Sequence, residues 1–474
     1  MGLSEIGVIG MGVMGSNLAL NLADNKFEVS VYNRPHKDKD TVGDFIRRNA
    51  NFKNLRGFDD LKAFVQSLER PRKIIIMVKA GAAVDQVIDE LAGLVEKGDI
   101  IMDAGNSDFK DTAIRERKLA DVGMRYAGVG VSGGELGART GASIMVGCSR
   151  EVWEEVKKYL LAIAAKLPSG EVCAARVGSS GAGHFVKAVH NGIEYADMQL
   201  ISEAARILKF CGSFSADELS QVFARYNEGD LQSYLIEITS KIFAKKDDDG
   251  SPLLEKILDS ASQKGTGKLV VKTAIDESAP VSAIAEAVFA RFLSSMDEVR
   301  AGARKAFAGA GEAALAAGKS ELEGRVQNAL FIAKVISYAQ GFWLMKNASK
   351  TYDWNLELSE IAKIWRGGCI IRAAFLDNIA DAFKRNPNLE NLLLDEFFAG
   401  KILSSISDLR KLCAGAATSG IGASALFSAL AYFDNLRAED SGASLIQAMR
   451  DFFGAHTYER TDSPRGKFFH TNWE

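Results

Sequence analysis

With 474 residues, the chain is long enough for two or three domains and a large buried core. Its 58 Lys and Arg nearly balance 61 Asp and Glu, and the net charge of −3 argues against a nucleic-acid partner or a polybasic membrane binder. At 47% hydrophobic and 25% charged the composition is that of a globular protein, and no apolar run reaches the roughly 18 residues of a membrane helix.

In chain order, "IGVIG" predicts a strand, "VMGSNLALNLADN" a helix and "FEVSVYN" a second strand. Further strands are expected at "KIIIMVKAG" and "DIIMDAGNS", with a helix, "AVDQVIDELAGLVEKG", between them. "MRYAGVGVSGGE" and "ASIMVGC" add more strand signal. Strand–helix alternation implies a mainly parallel sheet covered on both faces, so residues 1–180 are expected to form one α/β domain. After Gly178-Ser179-Ser180-Gly181 the pattern turns almost wholly helical, and residues 181–438 are expected to form an all-α domain. A faint internal echo, "YADMQLISEAARIL" and "YAQGFWLMKNASKT", hints at a duplicated helical unit. "KKDDDGSP" reads as a solvated turn, and "AGARKAFAGAGEAALAAGKSE" as an exposed helix or loop. Residues 439–474 lose helical periodicity after Phe453 and gather aromatics, as an extended arm that must pack on something.

The N-terminus lacks a basic region followed by an apolar stretch, and Ile6 stands where a myristoylation motif wants Ser or Thr. Five scattered cysteines without a CxxC point to reduced thiols and a cytoplasmic location. Five histidines, without HExxH or a Cys/His cluster, give no reason to expect a metal.

Gly10-Met11-Gly12-Val13-Met14-Gly15 is a GxGxxG run between the first strand and first helix, where glycines let backbone approach a pyrophosphate at a helix N-terminus. The expected architecture is therefore a Rossmann-type domain followed by the helical domain and arm. An NAD site wants Asp or Glu at the end of the second strand; here stand Asn33 and Arg34, which suit a 2′-phosphate and favour NADP.

The stretch "HFVKAVHNGIEYADM" is a buried-looking helix that nevertheless carries Lys187, His190, Asn191, Glu194 and Tyr195 in one sector. Lys187 and Glu194 lie about 10 Å apart along the axis, beyond an ordinary i,i+4 pair but suited to a small polar substrate. If burial lowers the lysine pKa and raises that of the glutamate, the first is a base and the second an acid. A buried polar network linking two domains is the alternative that spacing alone leaves open.

Taken together, "VKAVHNGIEYADMQLI", "MDAGNSDF", "VSGGELGART", "QKGTGK", "EAVFARFLSS", "IWRGGCIIRAAFL" and "FGAHTYER" resemble the decarboxylating 6-phosphogluconate dehydrogenases over essentially the entire chain. The resemblance implies oxidation of C3 of 6-phosphogluconate by NADP and loss of CO2 to ribulose 5-phosphate, without a metal. It implies that Lys187 acts as base and then acid, and that Glu194 protonates C1 of the enediol. Asn106, His190 and Asn191 are expected to orient hydroxyls, with Asn106 also beside the nicotinamide, and Ser132, Gly133 and Gly134 to receive the carboxylate region. Tyr195, Lys264, Arg291, Arg450 and His456 are expected around the phosphate, while Val78, Lys79 and Ala80 line the cofactor. Arg450 and His456 lie in the arm, which is expected to reach the partner of a homodimer. Pro35 departs from the family pattern where a Thr commonly meets the 2′-phosphate, Leu136 where a second Glu is common, and Thr140 where Tyr is frequent. A shorter β-hydroxyacid dehydrogenase and a non-catalytic NADPH-binding scaffold are the rival readings.

Overall fold

A computed structural model describes residues 2–37, 39–310 and 318–474; part of the "AGARKAFAGAGEAALAAGKSE" stretch lies outside the described residues. Eight strands form one sheet: β1 (Ile6–Ile9), β2 (Val29–Tyr32), β3 (Leu55–Phe58), β4 (Lys73–Ile76), β5 (Ile100–Asp103), β6 (Arg125–Ser132), β7 (Ser143–Gly147) and β8 (Ala174–Gly178). Their order is β3-β2-β1-β4-β5-β6-β7-β8, parallel throughout except for the antiparallel β6–β7 pair. Alternate side chains feed two separate cores. Ile6, Val8, Ile75 and Met102 enter one cluster, whereas Ile9, Ile74, Ile76 and Ile101 enter the other. That period of two explains why these strands read as continuous apolar runs: both faces are covered.

Two strands were not legible in the sequence. β3, "LRGF", mixes charge with glycine because it is the edge strand, and β8, "AARVG", follows a turn with no periodic signal.

The chain leaves the sheet through Gly178 and enters the 31-residue helix Ala182–Gly212, which packs against the 33-residue helix Lys319–Thr351. These two helices carry the sequence echo. Their buried length is apolar on nearly every side, the pattern of a helix surrounded by protein. Lys334 on the second meets Asp197 on the first at 2.7 Å, a fully buried ion pair in the middle of this core. "KKDDDGSP" is an exposed turn in which Asp249 accepts from Lys256 at 2.6 Å.

The arm is a helix, Ala443–Gly454, followed by a hairpin of β9 (Tyr458–Glu459) and β10 (Phe468–Phe469). Asp451, 0% exposed, gathers it: its carboxylate accepts from Thr457 N at 2.9 Å, His470 Nδ1 at 2.9 Å, Thr471 N at 3.1 Å and Trp473 Nε1 at 2.9 Å. Among the described residues, the hydrogen bonds and ion pairs of residues 443–474 have both partners inside that segment. Ile446, Phe452 and Phe453 remain exposed.

Candidate active site

The dinucleotide loop is built by contact. Gly10 has φ 98°, and a Cβ there would lie 2.4 Å from the Met77 carbonyl; one on Gly15 would lie 1.9 Å from the Gly10 carbonyl. A side chain at Gly15 would prise the helix Val13–Asp24 from the end of β1, and one at Gly10 would push the loop off Met77, the residue after β4. At Gly12 a Cβ would meet nothing within 4 Å, so the loop presents open backbone at a helix N-terminus, as a pyrophosphate requires. Met11 N donates to Asn33 Oδ1 at 3.0 Å, and Asn33 Nδ2 donates to the Arg34 carbonyl at 2.9 Å. Asn33 therefore braces the loop from the end of β2. Arg34 borders a cavity of about 440 Å³ whose rim also holds His36, Lys37, Lys39 and Thr41, together with the carboxylates Asp40 and Asp59. Its guanidinium rests on Glu90 at 2.6 Å. Val78 closes the other side of the turn, with its Cγ1 placed 3.0 Å from a Cβ on Gly10, and Lys79 and Ala80 continue from it.

The Ala182–Gly212 helix lies directly on β6, where glycines remove the spacing side chains. A Cβ on Gly130 would sit 2.4 Å from Lys187 Cβ, and one on Gly183 would sit 2.3 Å from the Gly128 carbonyl. The polar stripe is thereby brought to the carboxyl end of the sheet. Lys187, 7% exposed, donates from Nζ to Asn191 Oδ1 at 2.6 Å. His190, 0% exposed, lies 3.1 Å from Asn191 Oδ1 through Nδ1 and 3.1 Å from Ser132 Oγ through Nε2. Glu194 Oε2 is 3.8 Å from His190 Nδ1. Ser132, Gly133 and Gly134 turn away from β6, and a Cβ on Gly133, at φ 132°, would collide with the Gly368 carbonyl at 2.3 Å.

Burial pushes the Lys187 amine below its ordinary pKa, against the opposing charge of Glu194. Burial also pushes the Glu194 carboxyl above its ordinary range, against the nearby Lys187 and Arg291 cations. His190 is driven well below the usual imidazole value, first by burial and then by Lys187, so it stays neutral beside the lysine. An amine pushed below its ordinary value and a carboxyl pushed above its own thus share one helix face. That is the arrangement needed to remove a hydroxyl proton at one point and deliver a proton to carbon at another.

At the far end of the stripe the Arg291 guanidinium lies 3.5 Å above the Tyr195 ring, and its Nη1 donates to the Ser262 carbonyl at 3.3 Å. Gly267 packs on the same ring, where a Cβ would come within 2.6 Å, which brings the "QKGTGK" loop to the site with Lys264 exposed on it. Asn106 is exposed on the loop after β5. Arg450 and His456 do not join these groups through any hydrogen bond found in the chain: Arg450 donates to Gln447 Oε1 at 3.0 Å, and His456 Nδ1 lies 2.9 Å from the Arg450 carbonyl.

Sequence reasoning missed the buried groups behind the Asn106 loop. The Asp103 carboxylate accepts from Gly105 N at 3.0 Å, Ser107 Oγ at 2.6 Å and Tyr126 OH at 3.1 Å. His184 Nε2 donates to the Asp103 carbonyl at 3.0 Å. Only the aspartate ending an apolar strand in "IIMDAGNS" could have drawn attention to them. Among the described residues no group of three or more His, Cys, Asp or Glu could hold a metal ion. No described helix is long and apolar enough to cross a membrane.

The chain is similar to known proteins over its whole length. Residues 5–178 match the NAD binding domain of 6-phosphogluconate dehydrogenase, and residues 183–473 match the C-terminal domain of 6-phosphogluconate dehydrogenase. It is 51% identical over 474 residues to the NADP(+)-dependent, decarboxylating 6-phosphogluconate dehydrogenase of Bacillus subtilis, with 100% of both chains covered. It is 47% identical over 473 residues to the decarboxylating enzyme of Escherichia coli, again with 100% of each covered. The solved 6-phosphogluconate dehydrogenase of Plasmodium falciparum, described in its apo form and with NADP+ or 6-phosphogluconate, superimposes with a TM-score of 0.95 at 40% identity; the match covers 99% of this chain and 100% of that one. With both family models and full-length relatives in agreement, this chain belongs to the 6-phosphogluconate dehydrogenase family.

Proposed function

We propose that the chain oxidises 6-phosphogluconate with NADP and decarboxylates the product to ribulose 5-phosphate. The observation that carries this reading is the single stripe on which burial holds the Lys187 amine low and the Glu194 carboxyl high.

NADP, when bound, supplies the hydride acceptor. The open backbone at Gly12 and the basic rim around Arg34 fit its pyrophosphate and 2′-phosphate. Lys187, neutral, takes the C3 hydroxyl proton as hydride leaves C3, forming a 3-keto acid. The protonated amine then donates to the C3 oxygen as the bond to the carboxylate breaks; CO2 departs and its electron pair enters the C2–C3 enediol. This is charge stabilisation by a cation fixed beforehand. Glu194 gives a proton to the carbon that becomes C1 of ribulose 5-phosphate, and Lys187 recovers the proton from the enol oxygen. Asn191, bonded to both Lys187 and His190, keeps the amine aimed at C3. Tyr195, Arg291 and Lys264 form the phosphate end of the cleft, and Asn106 with Ser132 the end nearer the cofactor.

Arg450 and His456 complete the site from a second copy of the chain, and the protein acts as a homodimer. Support comes from an arm folded within itself, with apolar Ile446 and Phe453 exposed, and from exposed Phe289, Leu293 and Val299 elsewhere in the helical region. Five buried, unpaired cysteines favour the reducing cytoplasm.

Following NADP reduction and CO2 release together with 6-phosphogluconate as substrate tests the reaction. One CO2 per NADPH is expected; NADPH without CO2 would reduce the protein to a simple β-hydroxyacid dehydrogenase.

A further inference from the structure

The geometry points to Arg115 as a positioning residue that holds the cofactor-side loop and the substrate-side loop at a fixed separation. This rests on the proposed reaction and adds to it a residue that touches neither ligand. Arg115 sits on the helix Phe109–Ala120 and is only 4% exposed. Its Nε donates to Asp85 Oδ1 at 2.7 Å, and Nη2 donates to Asp85 Oδ2 and to the Gly81 carbonyl, each at 3.2 Å. Those partners lie where residues 77–81, the segment carrying Val78, Lys79 and Ala80, run into the helix Ala82–Ala92. The third nitrogen faces the other way: Nη1 donates to Ser107 Oγ at 3.4 Å and stands 3.5 Å from Asp103 Oδ2. Ser107 and Asp103 bracket the loop that carries Asn106. One planar guanidinium therefore bridges both loops, and its rigid fork makes the spacing definite.

The two loops are already in contact, since a Cβ on Gly105 would come within 3.2 Å of the Val78 carbonyl. Asp103 stiffens the second loop through Gly105 N and Ser107 Oγ, so Arg115 bears on a rigid object. A half-buried Arg–Asp pair serving only to hold the fold together is the plain alternative. It explains the bidentate bond to Asp85. Burial also requires the remaining N–H groups to find acceptors, and what the structural role leaves open is why those acceptors lie on the two loops that flank the site.

Hydride transfer needs donor and acceptor carbons within roughly 3–3.5 Å, and a misplacement of about 1 Å costs about a hundredfold. The proton steps at Lys187 and Glu194 take place on a different element and do not depend on that spacing. Arg115→Lys keeps the charge and loses the fork. It is expected to slow NADP reduction by tenfold or more and to raise the primary isotope effect with substrate deuterated at C3. Solvent exchange of the C1 proton of ribulose 5-phosphate, followed by NMR in D2O with NADPH present, should fall much less, because it involves no hydride transfer and its proton steps belong to Lys187 and Glu194. Asp85→Asn, which changes the half-exposed side of the clamp, should show the same split more weakly and decides the matter if Arg115→Lys does not fold. Parallel loss of both activities in the folded variants, or retention of both, would overturn the assignment. Wild-type protein is measured first: if it reduces no NADP with 6-phosphogluconate, the proposed reaction fails and not the clamp.

Discussion

Lys187 Nζ and Asn191 Oδ1 stand 2.6 Å apart, one helical turn from each other, inside a cleft that also shields His190 from solvent. The amine is thus held by a group that accepts a hydrogen bond whether the lysine is charged or neutral. It can pass a proton out and take it back without being released from its place.

Lys187→Met is expected to lower turnover by roughly 10²–10⁴ while leaving NADP binding intact, because the residue acts on substrate alone. Glu194→Gln should lower turnover and abolish C1 proton exchange into ribulose 5-phosphate. Binding titrations beside turnover check both, and wild-type turnover in either variant would end the assignment.

The pH profile of kcat should be bell-shaped. The catalytic base works deprotonated, so activity rises with pH through a Lys187 limb that burial has moved below the ordinary lysine value. The acid works protonated, so activity falls as Glu194 ionises, at a pH that burial has moved above the ordinary glutamate value. Glu194→Gln should remove the limb belonging to the carboxyl and leave the other.

Arg34→Ala should raise the KM for NADP far more than that for NAD, and equal shifts would make Arg34 a generic surface charge. The ion pair with Glu90 adds a second expectation. Both side chains are about half exposed, so the pair is worth no more than about 1 kcal/mol. Glu90→Gln frees the guanidinium and should tighten NADP by up to about fivefold, measured by steady-state kinetics.

Mixing Lys187→Ala with Arg450→Ala protein after dissociation and reassociation tests the shared site. Random pairing makes about half the dimers hybrid, each with one complete site of two, so activity should return to roughly a quarter of wild type. A dead mixture with verified hybrids would mean that Arg450 serves its own chain.

What was legible beforehand depended on whether the chemistry lay in one short stretch. The Gly10–Gly15 spacing, the neutral Asn33 before Arg34 and the sector from Lys187 to Tyr195 are local patterns, and each appears where its spacing implied. The bracing role of Asn33 was not visible, because its partner, Met11, arrives from another strand end. Arg115 was invisible for a plainer reason. In "AIRERKLA" it is one of several charges on an amphipathic helix, and only the fold decides that this one is buried while Arg117 and Lys118 face solvent. Glu90 likewise reads as a solvated helix residue until β2 brings Arg34 to it.

The carboxylate of Asp451 ties the arm's helix to its hairpin and its last residues, so the arm's polar bonds are made within itself. A limb that is already folded loses little conformational freedom when it docks on another surface. If the arm completes the cleft of a second copy as proposed, activity per chain should fade on dilution while the fold persists, and return on reconcentration. On that reading, proteolysis confined to one arm should silence the other subunit's cleft and leave the cleft of the cut chain working with the intact arm of its partner.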